Sequence, residues 1–345
     1  MTTRQLEFFS NKKSYVFLFM SFLFGGLCVY FLLGRETNRS LAAGAPMTSE
    51  IPQKTQRDGF AICKVKEFNN IKPLSKESIT ESPEFTPLKN ELQHLVDSLK
   101  TIGEANQVSV YLREFDSHGW MALNRDEQYH PASLMKVALL IAYLRMAEAN
   151  SGLLKQELLY VKPKGDAINT QFYAGPSIES GKKYTIHELL YYMIAYSDNN
   201  ATWLLASHFD NSIIKKLFSD YCLPEPVEDD LKFTMTAKEY SVFFKTIYSA
   251  SYIGPAYSEY AAELLSNCTF KEGFVKGLPD NTRMWHKFGE WRNAGHDYEL
   301  HESGVIFIDD KPYLLTVMTK GNDTEKLAKT ISAVARKVYE KISSP

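Results

Sequence analysis

The stretch HPASLMKVALLIAYL, His130 to Leu144, sets a serine and a lysine three residues apart at the head of an apolar run. Pro131 precedes Ser133, and Val137–Leu140 follow directly on Lys136, so the segment reads as the start of a buried helix. In the first turn of that helix, Ser133 would present its backbone N–H among the donors a helix start leaves unpaired, where it can face an oxyanion. Lys136, one turn on, falls on the same face. A lysine set against apolar surface can hold its amine neutral enough to accept a serine proton. The plainer reading is a serine cap followed by a lysine whose stem lies on the helix and whose ammonium reaches water. Ser-x-x-Lys also occurs at Ser10/Lys13, Ser180/Lys183 and Ser212/Lys215, so the pattern alone does not choose.

Two later segments bear on the choice. Tyr196-Ser197-Asp198-Asn199-Asn200-Ala201 begins its serine 64 positions after Ser133, between the apolar stretches Leu189–Ala195 and Ala201–Ala206. A Ser-Asp-Asn turn ahead of a helix is a good N-cap in its own right. It is also the only Ser-Asp-Asn in the chain. Ser197 is placed to relay a proton towards a leaving group, and Asn199 to hold a substrate amide. The third segment is His286-Lys287-Phe288-Gly289, in a strand-like run. Lys287 would bring positive charge to an anionic substrate, and Gly289 would let another backbone come close. Alone this element is weak, because Lys-x-Gly recurs at Lys271 and lysine is ordinary on an edge strand.

Around these segments the chain divides clearly. Tyr15–Leu33 is a 19-residue run without a charge, about the length that crosses a bilayer as a helix. Arg4, Lys12 and Lys13 precede it and favour a short cytoplasmic tail, residues 1–14. Ala43-Gly44-Ala45 resembles a signal-peptidase site, but the apolar run is long for a signal core and Pro46 follows, so an uncleaved anchor is expected. Residues 34–86 are polar and read as a tether. The domain, 87–345, opens with Leu88, Leu92, Leu95 and Leu99 at helical spacing, then a strand at Val108–Phe115 with a hairpin partner at Gly119–Leu123. A mostly helical stretch runs from Ser133 to about Ala250. Strand-like runs return at Arg283–Trp291, Ser303–Asp309 and Pro312–Thr319, and an amphipathic helix, Lys326–Ile342, closes the chain. The expected fold class is α+β: an antiparallel sheet built from N- and C-terminal strands and flanked by helices, with an all-helical region inserted between them. A net charge of −2 over 345 residues gives no general attraction to nucleic acid. No metal-ligand cluster, phosphate loop or dinucleotide fingerprint is present. Outside the apolar segment the cysteines are Cys63, Cys222 and Cys268, an odd set that permits one disulfide or none.

Ser133-x-x-Lys136, Ser197-Asp198-Asn199 and Lys287-x-Gly289, in that order, resemble the motif series of the serine β-lactamase and penicillin-binding protein superfamily, the class A β-lactamases most closely. The resemblance covers about Pro87 to Ile342. It implies acyl transfer through a serine ester, without cofactor or metal. Ser133 would be the nucleophile, Lys136 its general base, and Ser197 the shuttle that protonates the departing nitrogen. Lys287 would steer the substrate carboxylate, the N–H groups of Ser133 and Glu290 would form the oxyanion hole, and Asn199, Phe288 and Gly289 would line the substrate. That substrate would be a β-lactam or a peptidoglycan stem peptide, which makes β-lactam hydrolysis the leading reading. A penicillin-binding D-alanyl-D-alanine carboxypeptidase or transpeptidase acting on peptidoglycan, or a catalytically silent wall-binding module of the same fold, are the alternatives.

Two departures from the resemblance stand out. Phe288 occupies the position of a hydroxyl residue that helps hold a carboxylate. The family's deacylating glutamate lies in a Glu-x-x-Leu-Asn pattern, and the nearest match is Glu228-Asp229-Asp230-Leu231-Lys232 in a shortened loop. Glu228 is thus either the deacylation base or one of several acids on a solvated loop. Arg283, Arg292, His296 and His301 lie on or beside the C-terminal strands as further donors, with His301 expected to face the site.

Overall fold

A computed structural model of the chain describes residues 80–163, 172–223, 226, 233–292 and 298–343. The expected anchor, residues 15–33, and the tether up to residue 79 lie outside these, as do Glu228 and His296. Among the described residues no helix is long and apolar enough to cross a membrane.

The domain's packing reaches slightly ahead of Pro87. Phe85 is buried in the core, and the Ser82 N–H donates to the Trp120 carbonyl at 2.9 Å. Helix α1 (Thr86–Thr101) then buries Leu88, Leu92 and Val96 along one face. Strands β1 (Gln107–Glu114) and β2 (Trp120–Leu123) pair as the expected hairpin. A 3-10 turn (Ala132–Met135) leads into α2 (Lys136–Ala149), which buries every residue from Lys136 to Leu144. The inserted region continues with α3 (Ile186–Ala195), α4 (Asn199–Ser207), α5 (Asn211–Asp220), α6 (Ala237–Ser249) and α7 (Pro255–Ser266). It is helical apart from a small two-stranded ladder, β3 (Glu157–Leu159) with β4 (Lys183–Thr185). Capping boxes start α3, through Thr185 and Glu188, and α6, through Thr236 and Glu239. After the short α8 (Phe274–Gly277) come β5 (Met284–Arg292), β6 (Tyr298–Ile308), β7 (Lys311–Gly321) and α9 (Thr324–Ser343).

The main sheet has the order β2-β1-β7-β6-β5 with antiparallel pairing throughout, so strands from the two ends of the domain meet at β1 and β7. Both of its faces are covered. Tyr111, Leu314 and Met318 join the helical region, whereas Val110, Leu112, Leu315 and Val317 join α1 and α9. Two covered faces explain why six successive residues of β1 and eight of β7 are buried. Strand β6 starts five residues ahead of the expected Ser303, because Glu299, His301 and Glu302 are strand residues despite their polarity. Cys222 and Cys268 are free thiols, the first exposed and the second buried, where burial raises its thiol above the ordinary range.

Helix α9 docks tightly on α8. A Cβ added at Gly277 would stand 2.3 Å from the Ser332 carbonyl oxygen, backbone that cannot swing aside. Gly277→Ala should therefore destabilise the domain by about 1–3 kcal/mol, measured by chemical denaturation.

Candidate active site

Ser133 stands half-buried on the 3-10 turn, and its side chain makes no helix cap. In 3-10 geometry residues three apart eclipse, so Ser133 and Lys136 project to one side. The turn is held from several directions. Ala132 adopts a left-handed backbone, φ 51°, unusual for a residue with a side chain, and its N–H donates to His130 Nδ1 at 3.1 Å. The Tyr240 hydroxyl, from α6, donates to the Leu134 carbonyl at 2.9 Å. From β6, Glu299 accepts the His130 N–H at 2.8 Å, and His301 Nε2 lies 3.0 Å from the His130 carbonyl. His301 Nδ1 accepts the Thr319 N–H at 3.1 Å, which leaves the ring proton on Nε2 to be donated. His301 is thus fully buried beneath the turn and acts on the chain leading to Ser133. Burial would raise the Glu299 carboxyl, but hydrogen bonds from His301 and Lys320 outweigh it and leave the group below its usual range.

Lys136 is 2 % exposed, and its ammonium donates to Ser197 O at 2.5 Å, Ser197 Oγ at 3.0 Å and Asn199 Oδ1 at 2.8 Å. The lysine at the head of α2 is therefore tied to the turn between α3 and α4, and the Ser-x-x-Lys and Ser-Asp-Asn segments form one site. Ser197 is buried and left-handed, φ 54°. Asp198 fixes that bend by accepting from the N–H groups of Asn200 at 3.0 Å, Ala201 at 3.3 Å and Ile178 at 3.0 Å.

Strand β5 closes the third side. A Cβ at Gly289 would meet the Leu134 nitrogen at 2.8 Å and the Pro131 carbonyl at 3.0 Å, so the strand lies flush on the nucleophile turn. Lys287 is fully buried, and its Nζ donates to the Phe288 carbonyl at 2.8 Å and sits 4.2 Å from the Phe288 ring centroid. The Phe288 ring itself turns into the apolar cluster and stacks on Phe270, 4.5 Å between centroids. Its side chain offers a substrate no polar atom. Arg283 and Arg292, at the two ends of β5, are exposed and lie over the rings of Phe307 and Tyr298.

The sequence reading assigned Glu290 only through its backbone, yet its side chain is the most perturbed carboxyl at the site. Burial pushes it up to about 7, against the downward pull of the Tyr173 and Phe172 N–H groups and the charges of Lys136 and Lys287. Tyr240, Glu299 and the support role of His301 were also missed, since each acts by burial from a distant segment. The alternation of Glu299 and His301 along β6 was the available signal, because it puts both side chains on one face of the sheet.

A family model described as the beta-lactamase enzyme family matches residues 87–342 of the chain. No curated protein matches it. Among solved structures, the chain is similar to a PBP-A mutant in an acyl-enzyme complex with penicillin G, at 19% identity and TM-score 0.59, covering 74% of this chain and 96% of that one. A beta-lactamase from Xanthomonas campestris pv. campestris is similar at 17% identity and TM-score 0.62, covering 74% and 98%. The TLA-3 extended-spectrum beta-lactamase is similar at 14% identity and TM-score 0.64, covering 74% and 100%. At these identities the likeness establishes the shared fold.

Two variants probe the site's construction. Gly289→Ala should displace the Leu134 segment and lower the melting temperature, because the added methyl meets backbone and not a movable side-chain end. Glu290 holds its proton more tightly folded than unfolded, so its contribution to stability is full below the ordinary carboxyl range and is lost as pH rises towards about 7. Glu290→Gln, neutral throughout, should raise the melting temperature relative to the parent more at about pH 8 than at about pH 5.

Proposed function

Because the chain belongs to the beta-lactamase enzyme family, we propose that it is a serine acyl-transfer enzyme that opens an amide or β-lactam bond through an ester on Ser133. The observation that carries this reading is the Lys136 ammonium bonded to Ser197 and Asn199 one turn from Ser133. Lys136 in its neutral form accepts the Ser133 hydroxyl proton as Oγ attacks the carbonyl carbon. The oxyanion is received by the N–H groups of Ser133 and Glu290. When the tetrahedral species collapses, the C–N bond breaks and Ser197, recharged by Lys136, protonates the departing nitrogen. Water then cleaves the ester and restores Ser133.

β-Lactam hydrolysis is the leading activity, and the beta-lactamase and PBP-A likenesses support a β-lactam or peptidoglycan-like substrate through the shared fold. We also propose that the apolar segment 15–33 anchors the domain on the outer side of the cytoplasmic membrane, with residues 34–86 as spacer. The length of that run and the basic residues ahead of it support the placement.

Incubation with a fluorescent penicillin at about pH 6, followed by intact-mass measurement, tests the acyl-enzyme. One adduct is expected, absent in Ser133→Ala and formed at least about 100-fold more slowly in Lys136→Ala. Rapid loss of the adduct identifies a β-lactamase, a persistent one identifies a penicillin-binding enzyme, and no adduct overturns the reading in favour of a silent wall-binding module.

A further inference from the structure

The residue at the entry to the nucleophile turn sits in a seat made of two cross-strand pairs. Strands β5 and β6 set Gly289 opposite His301 and Trp291 opposite Glu299. Opposed residues, and residues two apart on one strand, share a face of the sheet, so all four bear on the same side. His130 rests there, buried. Glu299 accepts its N–H at 2.8 Å, and His301 donates to its carbonyl at 3.0 Å. Its ring stacks on Trp291, with 4.9 Å between centroids and 22° between planes. The chain just ahead is fixed too, because Tyr129 exchanges backbone hydrogen bonds with Met235 at 3.0 and 2.8 Å. A ring held in this way turns Nδ1 onto the Ala132 N–H, 3.1 Å away. Accepting that bond leaves the proton of the neutral ring on Nε2. Pro131 has no N–H, so the Ala132 N–H is the first donor beyond His130 that the side chain can take.

That bond bears directly on Ser133. Ala132 is left-handed, φ 51°, a conformation that a residue with a side chain disfavours and keeps only where its neighbours impose it. The peptide that joins Ala132 to Ser133 is planar, so the rotations about Ala132 decide where its N–H points. This N–H is the Ser133 donor of the oxyanion hole. We propose that His130 is a positioning residue for acylation: its Nδ1 latches the Ala132 N–H, keeps Ala132 left-handed, and so aims the Ser133 N–H at the forming oxyanion. The Tyr240 hydroxyl on the Leu134 carbonyl clamps the other side of the serine, at 2.9 Å. The assignment rests on the acyl-enzyme reading above and adds the group that prepares its oxyanion site. An oxyanion exists only once attack has begun, so loss of the latch slows the chemical step and spares binding.

The test uses the full chain and a fluorescent penicillin. Stopped-flow mixing separates the binding constant from the acylation rate constant, and intact mass identifies the adduct. Two variants divide the two contacts of the ring. Asn Oδ1 stands two bonds beyond Cβ, as His Nδ1 does, and accepts the N–H two residues on in an Asx turn. His130→Asn therefore keeps the acceptor and loses the stack, whereas His130→Phe keeps the stack and loses the acceptor. Both should melt at lower temperature than the parent. The acylation rate constant should stay within about threefold of the parent in His130→Asn and fall about 30-fold in His130→Phe, less than the roughly 100-fold or more of losing an oxyanion donor outright. The binding constant should move less than about threefold in either. Equal slowing of the two variants, an unslowed His130→Phe, or a loss confined to binding overturns the assignment while leaving the acyl-enzyme intact. Nitrogen NMR of the histidine-labelled parent reads the latch without a substitution. At about pH 8 it should show His130 with a bare Nδ1 and a protonated Nε2, and a proton on Nδ1 overturns the assignment even if a variant fails to fold. A parent that forms no adduct on Ser133 overturns the acyl-enzyme reading and this assignment together.

Discussion

A lysine ammonium withdrawn from water has to be met by oxygen atoms, and the domain is arranged to meet this one. Lys136 heads a helix whose next eight residues are all buried, so its amine cannot reach the surface along the helix. Its three protons instead go to Ser197 O, Ser197 Oγ and Asn199 Oδ1. Presenting a carbonyl and a hydroxyl from one residue requires the left-handed bend at Ser197, and the bend requires Asp198 to take up the N–H groups it exposes. Tyr160 and Ser177 then secure Asn200 behind it. One buried charge thereby fixes the relation of α2 to α4, and with it the distance between the serine that would attack and the serine that would pass on a proton.

The sheet supplies the other half of the geometry by a different route. Glu299 and His301 reach across from β6 to hold the two backbone groups of His130, while Gly289 on β5 lies against Leu134 and Pro131. The nucleophile turn is therefore gripped at its entry by hydrogen bonds and at its centre by contact. The hydrogen-bonded grip involves no side chain assigned to touch substrate. A second buried pair, His286 with Glu302 at 2.6 Å, joins the strand behind Lys287 to the start of α8 through the Phe274 N–H. Polar groups at the centre of this sheet serve mainly to position backbone.

The distribution of such groups also explains what the sequence disclosed. Helices and strands with an apolar pattern were legible: α1 from its leucines, β1 from its alternation, β7 from its strand-like run, α9 from its single apolar face. The three motifs were legible as an ordered series, with the single Ser-Asp-Asn falling between a Ser-x-x-Lys at a helix start and a Lys-x-Gly in a strand-like run. The beginning of β6 was not, since Glu-Leu-His-Glu reads as solvated until its partners are known, and for Glu299 and His301 these include His130, some 170 positions away. The Glu290 side chain was hidden for a related reason. Nothing local to Gly-Glu-Trp indicates that the carboxylate is withdrawn from water against the Tyr173 N–H.

Strand β5 lies at the outer edge of the sheet, and among the described residues no further strand pairs beyond it. An open edge is a template for pairing with another chain. The Pro131–Leu134 turn packs on the face of this edge strand, where a Cβ at Gly289 would meet the Leu134 nitrogen at 2.8 Å. The edge strand is thus also the seat of the nucleophile turn, so a chain that paired with it would be felt in the chemistry.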